Sequence, residues 1–595
     1  MSARVALVLL AVLVSGAARA QAPVVQAFRG GGTGGDIGQK VAVGGNGQIA
    51  VTGDFEGVAT FGTVTLTSAD NPAARSDVFV VVYNENGVAQ WGRRMGTGVF
   101  NDFAGDVAFD GLGNVYVSGY FTGVATFDGG ANPTVSLTTR SDFDVFLAKY
   151  SASGDLLWVR QSGGTEQDTG RGLHVEWDGA VYQAGGFTGT ATWGEAATGD
   201  TTITSEGSSD AFLAHYSATG VLQWVRTVGG SQSDTGYDVD GIPFSTGPVV
   251  LLGQFSGVTR VSPTLALSSR GLSDVFVARY DADGTALWAQ QIGGAGNDYG
   301  RGVSASAFGD YVYAAGSFED DVLIGNDILQ SAGFSDIYVA QISLATGALI
   351  GGRRGGGTGF DFADDVAAQP PVFIPTFGPP GLYPVYVVGY VDTAGTFPDP
   401  GGTTTVTAAG GVDGVLVGYD ADAAWSTAGG GGRVLGAFPL GGTNSDRTGG
   451  VAIEPFQHDL IVTGPFRSSM TLGTTTLTSA GGNDVYVARV EVCPTFFCQP
   501  TANEPGAENA PVLGGVVPNP VTGVGTVTLT LAEGSTVRVE VLDALGRRVL
   551  LVHDGPLAAG RHELPLDAGA LAPGAYVVRA TGDGLGAVRR MAVAR

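Results

Sequence analysis

The chain has 595 residues, which is too long for one ordinary hydrophobic core, so we expect several domains or an array of repeats. Glycine is abundant at 99 residues, yet 44% of the chain is hydrophobic; this excludes a disordered chain and favours short strands separated by turns. The formal net charge of −26 argues against DNA or RNA as a partner, because phosphate binding requires a basic surface. It is compatible with cation binding or simply with solubility.

Residues 1–20 have the pattern of a secretory signal peptide. Arg4 precedes the apolar run Val5–Val14, and a small-x-small cleavage site ends at Ala20. This run is too short to span a bilayer comfortably and no other long apolar run follows, so we predict no stable transmembrane segment in the mature protein. The alternative is a short membrane anchor.

Two kinds of hairpin alternate after the signal. The first is a strand, a glycine-rich turn and a strand, found at Val41–Gly53, Val107–Gly119, Leu173–Gly185, Val239–Gly253, Val303–Gly316, Val366–Gly389 and Val451–Gly464. The second joins Val145–Tyr150 to Leu156–Gln161 through a turn that contains Gly154. Its first strand begins beside Asp144, and the equivalent aspartates are Asp77, Asp210, Asp274, Asp336, Asp413 and Asp484. Seven copies at a long, slightly elastic period indicate a repeat array.

The ends of this array are incomplete in complementary ways. The chain begins with an isolated strand, Val24–Arg29, and its last copy, Asp484–Val492, lacks the fourth strand. Four antiparallel strands per repeat predict a propeller blade, and joining the two ends would remove two exposed edges. We therefore predict an all-β fold in which residues 21–492 form a seven-bladed β-propeller closed by the N-terminal strand.

The repeated sequence pattern of residues 24–492 also resembles that of a known family. Each copy reads GG…D.G, then AVD..GNVYV.G.F, then LTS…DVFVA.Y…G.L.W, with decay in the later copies, where Leu349 replaces the tryptophan. This wording resembles the bacterial SBBP-type seven-bladed β-propeller repeat family. The resemblance implies a fold and says little about activity.

Residues 493–512 form a predicted linker that contains the only two cysteines of the chain, Cys493 and Cys498. In an exported protein these two residues are candidates for a small disulfide loop, with free thiols as the alternative. Two cysteines without a nearby histidine make a poor zinc site.

Residues 513–595 have a different composition, with short alternating strands that predict a small immunoglobulin-like β-sandwich. The motif Pro518-Asn519-Pro520, a V.V.D.LGR.V run, an L.PG.Y.V.R run and a terminal basic strand follow in order. Together they resemble the C-terminal sorting domain of type IX secretion cargo. That resemblance implies contact with the secretion machinery, passage across an outer membrane to the surface or the medium, and later removal of the domain.

One aspartate lies five residues before the first strand of every repeat. These candidate site residues are Asp36, Asp102, Asp168, Asp234, Asp298, Asp361 and Asp446. Because strands alternate in direction, this series and the Asp144 series should share one rim of the propeller. Carboxylates in loops favour Ca²⁺ or a cationic ligand. The alternative is that each aspartate accepts backbone hydrogen bonds within its own turn, which explains its recurrence in every repeat. No dedicated calcium-loop spacing is present.

Tryptophans follow four of the turn glycines by four residues, at Trp91, Trp158, Trp224 and Trp288. A row of tryptophans can stack against sugars. A fixed strand position in successive repeats instead predicts packing between blades.

The sequence gives little support for catalysis. The five histidines occupy unrelated positions, and GxSxG, HExxH and phosphate-loop motifs are absent. We predict a non-enzymatic binding or adhesion protein without a cofactor other than a possible Ca²⁺, whose ligand is a polysaccharide or a surface protein. One alternative is an extracellular glycan-degrading hydrolase or lyase with an acid pair in the irregular sixth repeat, around Pro370–Pro384 and Asp420–Gly432. Another is a structural surface component, which self-association would reveal.

Overall fold

The computed structural model describes residues 24–69, 75–98, 100–195, 199–242, 247–306, 310–368, 384–399, 402–421, 425, 432–454, 459–491, 512–517, 521, 523–531, 534–542, 548–571, 574–582 and 585–593. The predicted signal peptide, the two cysteines and most of the Pro370–Pro384 insertion lie outside these residues. All regular structure in the described ranges is β.

The larger part of the described chain contains strands β1 to β36. In chain order they are β1 Val24–Gly32, β2 Ile37–Val43, β3 Ile49–Glu56, β4 Val58–Phe61, β5 Val64–Thr67, β6 Ser76–Tyr83, β7 Ala89–Gly96, β8 Phe103–Phe109, β9 Val115–Phe127, β10 Val135–Tyr150, β11 Leu156–Gly164, β12 Thr169–Val175, β13 Val181–Phe187, β14 Thr190–Glu195, β15 Gly199–Thr204, β16 Asp210–Tyr216, β17 Leu222–Gly230, β18 Thr235–Gly241, β19 Val249–Phe255, β20 Val258–Ser262, β21 Leu265–Ser268, β22 Asp274–Tyr280, β23 Ala286–Ile292, β24 Asp298–Ala305, β25 Tyr311–Phe318, β26 Asp321–Ile324, β27 Asp327–Gln330, β28 Asp336–Ser343, β29 Leu349–Gly355, β30 Phe362–Ala368, β31 Pro384–Asp399, β32 Gly402–Asp420, β33 Val434–Leu440, β34 Gly450–Ile453, β35 Leu460–Leu472 and β36 Thr475–Val490.

Within these described strands, antiparallel pairing produces seven four-stranded units. Written from first to fourth strand they are β2-β3-β6-β7, β8-β9-β10-β11, β12-β13-β16-β17, β18-β19-β22-β23, β24-β25-β28-β29, β30-β31-β32-β33 and β34-β35-β36-β1. The third strands read as nearly continuous apolar runs, such as DVFVVVY in β6. Such runs are typical of strands that are covered on both faces, here by the neighbouring units.

The first residues of the described chain supply the fourth strand of the seventh unit. Strand β1 pairs antiparallel with β36, placing Arg29 opposite Tyr486, and the Arg29 guanidinium lies 2.7 Å from the Asp484 carboxylate. The first strands of successive units contact one another in order, and β34 of the seventh unit contacts β2 of the first.

Glycine pairs at the end of the fourth strands join neighbouring units. Gly163 and Gly164 at the end of β11 pair with Thr192 and Ala191 of β14 in the next unit. A Cβ added at Gly164 would lie 1.9 Å from the carbonyl oxygen of Thr190. This close backbone approach accounts for glycine at that position.

The C-terminal part contains two sheets. Its strands are β37 Val512–Val517, β38 Val524–Leu531, β39 Ser535–Leu542, β40 Arg548–Leu557, β41 Gly560–Asp567, β42 Gly574–Gly582 and β43 Leu585–Val593. The sheet β37-β38-β41 and the sheet β40-β39-β42-β43 contribute to one hydrophobic core, with Leu529 and Val539 both fully buried. Two sheets that share one core form a sandwich.

Candidate functional site

The seven aspartates at the starts of the first strands, six before the strand and Asp298 as the first residue of β24, are all fully buried. In each, Oδ2 accepts a backbone N–H from its own loop at 2.6 to 2.9 Å; the donors are Gly32, Thr97, Gly164, Gly230, Gly294, Gly357 and Gly442. Several reach further with Oδ1, as when Asp168 accepts the N–H of Thr188 just after β13. The turn role accounts for these contacts, and the cation hypothesis for these residues stays a prediction.

Burial raises the pKa of these carboxyls. The pKa rises from 3.8 to about 8 at Asp102 and to about 6 at Asp361. At Asp36, Asp168, Asp234 and Asp298 it rises to about 7. Backbone hydrogen bonds oppose the effect of burial at each of them, and a neighbouring aspartate of the second series adds to it.

The structure brings the two aspartate series together in pairs, at one end of the units. The backbone N–H of Asp168 donates to the carbonyl of Phe143, next to Asp144. A Cβ added at Gly163 would lie 2.7 Å from Asp168 Oδ2 and 3.0 Å from Asp144 Oδ1. Glycine at this position, where φ is +142°, therefore makes room for both carboxyls.

The tryptophans connect neighbouring units, as predicted. Each indole N–H donates to a backbone carbonyl in the hairpin turn of the next unit: Trp91 to Ala152, Trp158 to Ala218, Trp224 to Ala282 and Trp288 to Leu344. In three of these turns an arginine two residues after the tryptophan adds a bond to the turn glycine, as between Arg160 and Gly220. These four tryptophans therefore have a structural role, which is to join neighbouring units.

The first strands carry an irregularity near their start, at the same end as the paired aspartates. Register shifts occur in β2, β8, β12, β18, β24 and β30. A bulge turns a side chain away from the regular alternation of a strand and is common beside functional sites. The residues at the shifted position, with the equivalent residue before β34, are Gln39, Gly105, Arg171, Tyr237, Arg301, Asp364 and Gly449.

A largely buried charge cluster lies one residue further along the first strands; Asp238 and Asp365 are buried, and Lys40 and Asp106 are partly exposed. Lys40 of the first unit contacts Asp365 of the sixth at 2.9 Å, with Asp106 and Asp238 in electrostatic contact. Burial alone would lower the pKa of Lys40, but the three carboxylates raise it. Burial raises the pKa of Asp238 to about 7, against the attraction of Lys40.

Each of these three aspartates also joins two first strands. Asp106 accepts the N–H of Val107 in its own strand and the N–H of Leu173 in the next unit. Asp238 and Asp365 repeat this arrangement toward the fifth and seventh units. The equivalent positions in the third, fifth and seventh units are Gly172, Gly302 and Gly450, where a Cβ would lie within 3.0 Å of the next strand's backbone.

Above this charge cluster, at the bulge positions, two arginines contact one tyrosine. The guanidinium carbons of Arg171 and Arg301 lie 4.8 Å and 4.9 Å from the ring centroid of Tyr237. All three side chains are partly exposed. We call Arg171, Tyr237 and Arg301 the arginine–tyrosine cluster.

Aromatic residues flank the arginine–tyrosine cluster on two sides. On one side Tyr120 packs with Phe103 and Phe143, at centroid distances of 5.0 Å and 5.5 Å. On the other side Phe362 lies between Tyr299 and Tyr390, at 6.1 Å and 5.3 Å. The guanidinium of the exposed Arg447 lies 4.5 Å from the Tyr390 ring centroid.

An acidic side chain, Asp364 in the sixth unit, borders the second aromatic group. Its Oδ2 accepts a hydrogen bond of 2.9 Å from the Thr448 hydroxyl. Burial raises the pKa of Asp364 to about 7, while the Thr448 bond and the positive charges of Arg301 and Lys40 oppose the rise. A carboxyl of this pKa can exchange a proton near neutral pH.

Sequence reasoning missed both the charge cluster and the arginine–tyrosine cluster. The signal was available, because the strand-start residues Val41, Val107, Leu173, Val239, Val303, Val366 and Val451 align the repeats. Reading one and two positions before them gives the two sets directly. The two clusters were missed because their residue types differ from repeat to repeat. A search for recurring residues finds only the positions that stay the same.

Comparison with known proteins identifies the C-terminal part. Residues 515–594 match the family model described as a secretion system C-terminal sorting domain. The chain therefore carries a type IX sorting domain, and it is a protein exported to the cell surface or the medium. The strands that the structure describes within this range form the β-sandwich.

Similarity to a curated protein covers only part of this chain. The regulatory protein FlaEY of Caulobacter vibrioides is 28% identical over 163 residues, which is 27% of this chain and 17% of that protein. The matched region is thus a small share of FlaEY.

Similar solved structures include the quinohemoprotein alcohol dehydrogenase of Comamonas testosteroni, with a TM-score of 0.32 and 12% identity, covering 78% of this chain and 76% of that one. A europium-containing methanol dehydrogenase gives 0.28 and 11%, covering 78% and 93%. These similarities are too low to carry an argument about this chain.

No helix in the described ranges is long and apolar enough to cross a membrane. Among the same residues, no group of three or more His, Cys, Asp or Glu side chains is arranged to hold a metal ion.

Proposed function

We propose that this chain is a secreted or cell-surface binding protein whose seven units close into a single propeller of the SBBP type. The pairing of β1 with β36 and the contact of β34 with β2 support closure. In a closed ring the first strands line the centre, so the bulge residues surround the mouth of a central channel. The Lys40 charge cluster then fills the channel below the mouth.

The ligand that the mouth fits best is a glycan, and the arginine–tyrosine cluster with its two aromatic groups is the observation that carries this assignment. Partly exposed aromatic rings provide flat surfaces for sugar rings, and guanidinium groups donate several hydrogen bonds in fixed directions. A concave site that combines rings with a few converging polar groups is the usual form of a small-ligand site.

Export by the type IX machinery places this site outside the cell. The signal peptide over residues 1–20 would direct the first membrane crossing and the sorting domain the second. Removing residues 513–595 should leave the protein inside the outer membrane, measured by surface proteolysis and by fractionation of the culture.

Binding is tested on a glycan array with the full mature chain, with Ca²⁺ and with chelator. We expect binding that Tyr237→Ala reduces at least tenfold and Trp177→Ala leaves unchanged. Trp177 is 64% exposed and lies in the turn at the far end of the third unit's first hairpin, so it serves as the matched control. A ligand found only among surface proteins, or self-association without glycan binding, would contradict the glycan assignment. Binding lost in chelator would give the cation hypothesis its first support.

A glycan-degrading enzyme is the second candidate, and Asp364 is the observation that favours it. The residue lies in the sixth unit, in the mouth, with a pKa of about 7, which suits a general acid or base. Release of new reducing or unsaturated ends from any bound glycan, abolished by Asp364→Asn while binding is retained, would replace the non-enzymatic proposal.

A further inference from the structure

Arg171 and Arg301, the two arginines of the arginine–tyrosine cluster, differ from other arginines of the chain in their hydrogen-bond partners. Arg160 and Arg226 donate to turn carbonyls, and Arg94 forms an ion pair of 2.9 Å with Asp77. The guanidinium groups of Arg171 and Arg301 make no hydrogen bond and no ion pair with a residue that the structure describes. Both guanidinium groups lie against the ring of Tyr237.

Arg171 carries the clearest unmet requirement. Its Nε is buried from solvent yet has no hydrogen-bond acceptor among the described residues. A donor that lacks an acceptor costs free energy. The Arg171 side chain as a whole is partly exposed, so a ligand can reach the outer N–H groups of the same guanidinium. Anionic oxygens are the strongest acceptors for a guanidinium, because two parallel N–H···O bonds form at once.

We propose that the mouth binds the acidic group of an anionic saccharide, a carboxylate or a sulfate, between Arg171 and Arg301, with neighbouring sugar rings against the flanking aromatic groups. The inference rests on the proposed glycan-binding function and adds the charge of the ligand. Arg447, exposed and in contact with Tyr390, is positioned to meet a second acidic group along the same saccharide.

The negative charge of the whole chain does not oppose this assignment decisively. Exposed charges are largely screened beyond about 8 Å at physiological ionic strength, so the local arginines dominate at contact distance. Repulsion at long range should instead slow association, so the association rate of short acidic oligomers should rise when salt is raised modestly.

The test measures binding of short oligomers to the full mature chain by calorimetry at physiological salt. Oligomers of galacturonate, glucuronate and mannuronate are each compared with their methyl esters, which keep the sugar and remove the charge. A sulfated galactan oligomer is compared with the unsulfated one. We expect at least one acidic oligomer to bind tenfold or more tightly than its neutral counterpart.

Variants locate the effect. Arg171→Gln and Arg301→Gln should each weaken the acidic oligomer at least tenfold and leave the neutral counterpart within twofold. Arg260→Gln is the matched control, because it removes the same charge from an exposed arginine on β20, and it should change neither affinity. Thermal unfolding of each variant shows whether the fold is retained.

The outcomes separate the two proposals. Equal binding of acidic and neutral forms would overturn the acidic-group inference and leave glycan binding standing. Failure of every saccharide to bind the wild-type chain would overturn both. Preference for the sulfated galactan over all uronates would support the inference and name sulfate as the group, whereas the reverse would name carboxylate.

Discussion

The paired aspartates and the arginine–tyrosine cluster lie at the same end of the units, yet they differ in two respects. The aspartates recur in every unit and are buried, and in each of them at least one carboxylate oxygen accepts a backbone N–H, as at Asp168. The arginine–tyrosine cluster occupies a position whose residue type changes from unit to unit, and its guanidinium groups have no polar partner within the described chain. Repetition here accompanies a structural role, and variation on a repeated scaffold marks the place where a ligand can be distinguished.

The largest effect is expected in the dependence of stability on pH, which tests the structural role of the loop aspartates. Folding raises the pKa of six of the loop aspartates from 3.8 to between about 6 and 8 and also raises that of Asp446, so the folded chain retains protons that the unfolded chain releases. Their stabilising contribution is therefore complete below about pH 4 and is lost as the pH rises through their folded pKa values. The urea midpoint should fall between pH 5 and pH 8, and Asp168→Asn should make the fall shallower. A midpoint that rises over this interval would contradict the assignment.

Removing the buried cation should have the next largest effect. Lys40→Met leaves Asp106, Asp238 and Asp365 without their neutralising charge, and breaking a buried pair costs about 3–5 kcal/mol. The free energy of unfolding should drop by that amount at pH 8 and by less at pH 5, where Asp238, whose pKa burial raises to about 7, takes up a proton. An equal loss at both pH values would show that packing of the lysine stem, and not its charge, is what matters.

Truncating one loop aspartate should cost somewhat less. Asp168→Ala leaves the N–H groups of Gly164 and Thr188 without an acceptor, at about 2–4 kcal/mol in total. Measured by urea unfolding at pH 6, this loss should not be accompanied by a change in saccharide affinity. If Asp168→Ala were as stable as the wild type but no longer bound saccharide, Asp168 would have a role in binding and not in structure.

The smallest effect is expected at the tryptophans. Trp158→Phe keeps most of the ring and removes the hydrogen bond to the Ala218 carbonyl, which is worth about 1 kcal/mol. The matched control is Leu157→Ala, which truncates an exposed side chain at the adjacent position and should change the urea midpoint little. If Trp158→Phe still binds saccharide, the four repeated tryptophans have a purely structural role. Loss of binding at unchanged stability would contradict that role.

Much of the scaffold could be predicted from the sequence, because its determinants recur. Asp144 and its equivalents marked the third strands, and the unpaired strands at Val24–Arg29 and after Asp484 indicated the pairing of β1 with β36 that the structure contains. The sequence also indicated that both aspartate series lie at one end. What it did not reveal is that Asp168 is buried, because exposure depends on how the next unit covers the loop.

The candidate site was not predictable by the same reasoning. Arg171, Tyr237 and Arg301 stand at equivalent positions of three units, so no single stretch of sequence contains them and no spacing motif describes them. Their proximity results from the arrangement of first strands side by side and from the bulge that turns each residue toward its neighbours. Only an alignment of the repeats on Val41 and its equivalents would have drawn attention to them.

The alternation of aspartate and glycine along the first strands has a consequence for how the proposed ring can change. Aspartate at Asp106, Asp238 and Asp365 and glycine at Gly172, Gly302 and Gly450 fill six places by turns, and a ring with an odd number of members cannot be completed in this way. The mismatch falls at the seventh place, and Lys40 occupies it. Losing two adjacent blades, one with aspartate and one with glycine, would keep this alternation, whereas losing a single blade such as the third would place Asp106 beside Asp238. A change by two blades should therefore be tolerated better than a change by one.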